Sequence, residues 1–408
     1  MEGKLDGPLE GIRILDMTVG QQGPYATVML SDMGAEVIKV EDPRYGGDSM
    51  RVARPEMVLQ GFQYESGVNA YFETNNRNKQ SITVNAQTDE GREILLRLTG
   101  ICDVFVHNRR PGVMERLGLG YESLKNISPA IIYASASAYG YKGPDAGIRG
   151  IDQLAQARGG IMSVNGGPED APSWIPGGIA DQVGGFLLAH GIVLALLARE
   201  RTGVGQEVNT SLLGGQIALQ GWLLQGSLYT GKLPPKLARH ERVPLFNTYQ
   251  AQDGRWLTLA MMGRAFWPRL CHALGAPELV DDARFVSPEK RLENKGELIS
   301  LLSGIFATKD RDEWMHLLDA ADVMAASVKD YAEVAEDPQA TENGYIVDFN
   351  HPVLGATKVL GTPIRLGQTP GRPRTAAPQL GEHTEEILTN LLGYRAGEVE
   401  TFRTKGAI

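Results

Sequence analysis

GIRILDM (residues 11–17), VGQQGP (19–24), YATVMLSDMG (25–34) and AEVIKVED (35–42) follow one another near the start of the chain, and their order decides the fold. The first and last are short apolar runs that read as strands. The glycine-rich turn between them leads into a helix that accepts Pro24 in its first turn. A strand, a helix and a second strand at this spacing pair in parallel, because the return needs a crossover, and that crossover is normally right-handed. The alternation continues outward, with SITVN (81–85), CDVFVHN (102–108) and the later part of SLKNISPAIIYASASAYG (123–140) as strands and TDEGREILLRLTG (88–100) as a helix. The polar stretch over residues 50–78 reads as irregular. A layered α/β domain is the expected result.

The chain has 408 residues, 40 basic against 49 acidic, and a formal net charge of -9. That length suits two or three domains. The acidic balance and the lack of a long basic tract argue against broad nucleic-acid binding, although a local basic pocket for an anionic ligand remains compatible with them. Glycine is abundant, 49 residues, but without a G-X-Y period, so the excess belongs in turns and close backbone approaches. Cys102 and Cys271 read as core thiols, and no metal-ligand spacing is present. The opening MEGKLDGPLEG lacks an apolar targeting core, and the apolar run GFLLAHGIVLALLA (185–198) is short for a membrane span. A cytoplasmic protein that does not insert in membranes is expected.

Residues 182–199 form the strongest apolar helix, expected to be buried on most sides, and RTGVGQEV (201–208) ends it before another strand. Paired prolines and mixed charges in GSLYTGKLPPKLARHERVP (226–244) mark a boundary. Beyond it, DGRWLTLAM reads as a strand, and FWPRLCHALG, RLENKGELISLLSGIFA and RDEWMHLLDA as short helices of a smaller α/β domain. Strand and helix signals resume in NGYIVDFN, TKVLGTPIRL and EHTEEILTNLLG. The expected division is a large domain over residues 1–225, a smaller one over 226–335, and a return to the large domain over 336–408.

Three sequence features can carry chemistry. Gly20-Gln21-Gln22-Gly23-Pro24 is either an ordinary turn or a set of backbone donors for an anion, and Glu41 at the end of the next strand keeps a nicotinamide reading open despite the missing G-x-G-x-x-G. Asn76-Arg77-Asn78-Lys79 and Asn108-Arg109-Arg110, with Arg116, supply cations for phosphate or solvated surface charge. Asp181, ahead of the apolar helix, is either its N-cap or a carboxylate nucleophile. His107, His190 and His240 read as structural. Trp174, Phe186 and Trp222 either help enclose an acyl chain or pack a core or a dimer surface, and Glu207 suits a strand edge.

These segments together resemble CoA-transferase family III, the CaiB/BaiF-like group that includes formyl-CoA and carnitine CoA-transferases. The resemblance runs through GIRILDM, GQQGP, GAEVIKVE, NRNKQSI, HNRRPG, YGYKGP, IDQLAQARGG, ADQVGG, RTGVGQEV and YQAQDGRWLTLA. It implies a Rossmann-like large domain, a smaller central α/β domain and an interlocked homodimer. It also implies coenzyme A as co-substrate, no metal, and exchange of CoA between an acyl-CoA and a free carboxylic acid through an aspartyl-CoA thioester. Asp181 matches the family's catalytic aspartate and Gln21 the glutamine of the early loop. Lys79, Arg109, Arg110, Arg116 and Arg149 match or lie close to CoA-contacting positions. The racemase branch has a histidine where this chain has Ile151, which weakens racemisation or isomerisation as the alternative, and a noncatalytic CoA-binding regulator stays open. Asp42 stands where some transferases have an arginine, so that cofactor contact is not carried over.

Overall fold

The computed structural model describes residues 7–51, 68–261, 263 and 265–408. The chain divides into two compact units, one built from residues 1–162, 174–232 and 341–408, the other from 163–173 and 233–340. The first contains a parallel six-stranded sheet: β1 (Arg13–Asp16), β2 (Glu36–Glu41), β3 (Lys79–Thr83), β4 (Val104–His107), β5 (Ile132–Ser137) and β6 (Glu207–Ser211), in the order β3-β2-β1-β4-β5-β6. This is the doubly wound Rossmann order, with the reversal between β1 and β4.

Alternation along the strands divides two cores between the sheet's faces. Leu15, Ile38, Ile82, Phe105 and Tyr133 join one core with residues of α3 (Asp89–Thr99) and the C-terminal segment. Ile14, Val37, Val104, Val106 and Ile132 join the other with α1 (Gln22–Asp32) and α7 (Ile179–Thr202). Between these helices in sequence lie α2 (Ala70–Asn76), α4 (Val113–Arg116), α5 (Tyr121–Ile127) and α6 (Asp152–Gly159), and α7 is followed by α8 (Leu212–Leu219) and α9 (Gly221–Thr230). Both cysteines are buried free thiols.

Three expectations change. The irregular stretch over 50–78 contains α2, because Asn69 caps it and accepts the N–H groups of Tyr71 and Phe72; residues 52–67 of that stretch lie outside the described residues. The helix expected from 182 begins at Ile179 and runs 24 residues, long and apolar enough by composition to cross a membrane, so the short apolar run understated it. It is also not buried on most sides. Leu188, Ile192 and Leu196 pack on the sheet, whereas Phe186, Leu194 and Leu197 are about half exposed. On α9 no residue is buried, and Trp222 is 81% exposed.

The second unit has a three-stranded antiparallel sheet, β7 (Phe246–Gln250), β8 (Trp256–Ala260) and β9 (Ala325–Ser327). Its core gathers Tyr249, Leu257, Trp267, Phe285, Phe306 and Trp314 from the sheet and from the helices and turns between β8 and β9. The segment RLENKGELISLLSGIFA divides into two helices at Asn294. After the second unit, a hairpin of β10 (Ile346–His351) and β11 (Gly355–Leu360) precedes the C-terminal segment, where His383 and Thr384 accept the backbone N–H groups of Ser81 and Thr83 along the edge of β3. These acceptors satisfy donors that an open sheet edge leaves unpaired.

Candidate active site

The loops leaving β1 and β4 meet where the strand order reverses, the place where doubly wound sheets bind ligands. The β1 loop, Thr18–Gln21, is held almost group by group. Thr18 donates its N–H and hydroxyl to the Asp16 carboxylate at 2.9 and 2.5 Å, and its carbonyl accepts from Lys39 Nζ at 3.0 Å. The Asn108 amide, from the β4 loop, accepts the Val19 N–H at 3.0 Å and donates to the Val19 carbonyl at 2.6 Å. The Gly20 N–H reaches Asp48 at 3.2 Å, and the same carboxylate takes Lys39 at 2.9 Å.

This loop delivers Gln21 to the start of α1. Its side-chain oxygen accepts from the Tyr71 hydroxyl of α2 at 2.8 Å, while Nε2 donates to the Gly177 carbonyl at 3.4 Å. Gly178 follows in the left-handed conformation, φ 73°, and a β-carbon there would collide with the Gln21 amide. Glycine is required on both counts.

Gly178 is also the N-cap of α7, which places Asp181 inside the first turn and removes its reading as the cap. The capping is done by Asp152, at the start of α6. Its Oδ1 accepts the N–H groups of Ala180 and Asp181 at 2.6 and 3.2 Å. Two carboxylates therefore stand at one helix terminus. Burial pushes the Asp181 carboxyl up, the Asp152 charge adds to the rise, and a backbone N–H of Gln22 opposes it, leaving Asp181 at about 7. Burial and the facing Asp181 charge also push Tyr71 upward, so it stays a neutral hydrogen-bond donor. Close packing of α1 against α7 depends on two more glycines. A β-carbon at Gly184 would lie 2.6 Å from Gln22 Nε2, and one at Gly185 2.5 Å from the Gln22 carbonyl.

The structure thus brings Gln21, Gly178 and Asp181 to one site, with Tyr71 and Asp152 as members to which the sequence assigned no role. Asp152 carried a readable signal, an acid opening a short helix after a turn-rich loop. Tyr71 carried none, because its helix was read as irregular.

Lys79 requires a correction. Its ammonium is fully enclosed and spends all three donors on Asp16, the Pro24 carbonyl and Asn76, at 3.1, 3.1 and 3.0 Å. No donor is left for a phosphate. Burial pushes the Asp16 carboxyl up, but Lys79 and Lys39 outweigh it and hold it at about 2. The rest of the motif is equally internal. Arg77 pairs with Asp32 at 2.6 Å, and Asn78, at φ 63°, ties Asp32 to residues 372–375. Glu41 is likewise committed to Arg51 and Ser81 at 2.6 Å each, which removes it as a ribose acceptor.

Arg109, Arg110, Arg116 and Arg149 are exposed instead, and among the described residues none is ion-paired. Arg110 reaches the Gly147 carbonyl at 3.4 Å, which joins the β4 loop to the 143–150 turn carrying Arg149. His107 is buried, and burial together with Arg109 pushes it down to about 4, which fits a neutral core residue. His190 and His240 are exposed. Among the described residues no cluster of three or more metal-ligating side chains is found.

Asp181 thus stands in the first turn of α7 against the start of α1, where Gln21 precedes the helix, beside the reversal point of a Rossmann-type sheet. The chain belongs to CoA-transferase family III, whose profile matches residues 9–384. It is 34% identical over 403 residues to the succinyl-CoA:glutarate CoA-transferase of Mus musculus, covering 98% of this chain and 90% of the mouse protein. It is likewise 34% identical over 382 residues to the acetyl-CoA:oxalate CoA-transferase of Acetobacter aceti, covering 93% and 94%. Among solved structures, a CAIB/BAIF family protein from Brucella suis superimposes with a TM-score of 0.84 at 32% identity, over 94% of this chain and 99% of that one. Membership carries the general activity, transfer of CoA between an acyl-CoA and a carboxylate.

Proposed function

We propose that this CoA-transferase works through covalent catalysis on Asp181. The observation that carries the reading is the Asp181 carboxylate itself, half-buried at the start of α7 and poised at about 7, beside the Gln21 amide. A carboxylate of raised basicity is a better nucleophile and is still ionised in useful fraction near neutral pH.

In this scheme Asp181 attacks the carbonyl carbon of the donor thioester. The C–S bond breaks, CoA leaves as the thiolate, and a mixed anhydride remains. The thiolate then attacks the aspartyl carbonyl, releases the donor carboxylate and gives an aspartyl-CoA thioester. The acceptor carboxylate attacks that carbonyl and expels the thiolate, which attacks the acyl side of the new anhydride and regenerates Asp181 as carboxylate. Each step exchanges one acyl bond for another, with no net redox change. Gln21 Nε2 and the Gln22 N–H at the start of α1 supply donors for the oxyanions that form along the way. Arg109, Arg110, Arg116 and Arg149 form the rim that takes the phosphates of CoA, a role suited to exposed and unpaired guanidinium groups.

The exposed apolar face of α7, α8 and α9 is proposed as the contact with a second copy of the chain, forming the interlocked homodimer. A soluble monomer rarely leaves a patch of this kind uncovered. Trp222→Asp is expected to shift the sedimenting species from dimer to monomer. The named relatives act on short dicarboxylates such as glutarate and oxalate, and acids of that class are proposed as acceptors here, with the protein working in the cytoplasm.

Exposure to a succinyl-CoA donor followed by hydroxylamine tests the mechanism. The expected product is a hydroxamate on Asp181, located by peptide mass. A fully active preparation that yields no Asp181 adduct with any of several donors overturns the scheme.

A further inference from the structure

Gln156 lies on α6 one turn beyond Asp152 and is fully buried. Its amide is used at every position that can bond across the site. Nε2 donates to Asp152 Oδ2 at 2.6 Å and to the Ile175 carbonyl at 2.9 Å, while Oε1 accepts the Ile175 N–H at 2.8 Å. One side chain therefore grips both polar groups of a single backbone residue, as a neighbouring strand would, and fixes one carboxylate oxygen as well. Both of its attachments lead to the same place. Two residues beyond Ile175, the Gly177 carbonyl takes the Gln21 amide, and the other oxygen of Asp152 caps Ala180 and Asp181.

We infer that Gln156 is a positioning residue for the transfer reaction, a clamp that sets the chain entering α7 and the Asp152 carboxylate in fixed relation to Asp181 and Gln21. Hydrophobic satisfaction alone does not account for it, since an apolar side chain would fill the same buried space without a demand for three hydrogen bonds. The inference rests on the reading of Asp181 as nucleophile. Small misplacement of reacting groups is costly, on the order of 10²-fold for about 1 Å.

Gln156→Met keeps length and volume while deleting the clamp. Gln156→Asn keeps an amide and adds no charge but withdraws it by one methylene, out of reach of Asp152 and Ile175 together, so it reads the same point if the first variant folds poorly. Both are compared with the parent protein in steady-state exchange from pH 5.5 to 8.5, alongside equilibrium binding of CoA. The expected result is a fall in kcat on the order of 10²-fold with CoA affinity retained. The groups facing Asp181 are Asp152 from α6, Tyr71 from α2 and the Gln22 N–H from α1. With Asp152 released in Gln156→Met, the acid limb of the pH profile moves to lower pH, a change that simple loss of folded protein does not produce. Unchanged kcat and an unmoved limb in both variants, with Asp181→Ala inactive, overturn the clamp alone. Exchange persisting in Asp181→Ala overturns the nucleophile reading on which it rests.

Discussion

Replacing Asp181 by Asn removes the charge but keeps the shape of the side chain, and it should stabilise the protein while ending exchange. The folded-state pKa rises from 3.8 to about 7, mainly by burial and then by the Asp152 charge. A raised acid pKa means that the native state holds its proton more tightly than the unfolded chain. Stability therefore falls as pH climbs between about 4 and 7, with no cost below that window and the full cost above it. At about 1.36 kcal/mol per pKa unit the rise corresponds to at most about 4 kcal/mol. The carboxylate is half-buried, and solvent screening reduces the expected gain to about 2 kcal/mol. Urea unfolding of both proteins at half-unit intervals from pH 4.5 to 8.5 reads this directly. The two midpoints should lie close together at the acid end, separate through neutrality and run parallel above pH 8. A constant offset at every pH would refute the electrostatic reasoning, because the gain would then come from something other than the ionised carboxylate.

Other expectations follow from the same geometry. The kcat/KM of the parent enzyme should lose about tenfold per unit below an inflection near 7, because protonated Asp181 is not a nucleophile; a flat profile down to pH 5 counts against that role. Lys79→Met should cost about 3–5 kcal/mol in chemical denaturation by leaving Asp16 buried with one fewer cation, whereas a raised KM for acyl-CoA in a protein of normal stability would restore Lys79 as a ligand contact. Arg116→Gln and Arg149→Gln should each raise KM for acyl-CoA several-fold with kcat held, and the effect should shrink in high salt. Gly178→Ala introduces a β-carbon against the Gln21 amide in a left-handed backbone, so kcat should fall well beyond any change in CoA affinity.

The sheet was readable because its strands are apolar runs ending in polar loops, and the opening strand-turn-helix-strand pattern fixes parallel pairing without tertiary information. The site was readable in part. Gln21 and Asp181 stand in motifs flanked by glycines whose close approaches the structure displays at Gly178 and Gly184. The charges of residues 76–79 were misread for a physical reason: lysine and arginine lie outside unless paired, and the pairing carboxylates Asp16 and Asp32 come from the strand and helix that precede them by dozens of residues. Helix α2 escaped notice because seven residues are too few for a period to emerge, and its cap is a lone asparagine. The exposed face of α7 looked like core because composition cannot tell which neighbour will cover an apolar stripe.

The Thr18–Gln21 loop has a thermodynamic consequence of its own. Its anchors, Asp16, Lys39, Asp48 and Asn108, are supplied by separate segments of the large sheet's unit, and two of them share a buried ion pair. Such a loop has no inexpensive way to open by itself. Protection of the Val19 and Gly20 amides against deuterium exchange should then track global unfolding of the sheet rather than local fraying. Substrate would meet a loop whose ordering entropy was already spent when the chain folded, and heat inactivation would coincide with loss of the sheet instead of preceding it.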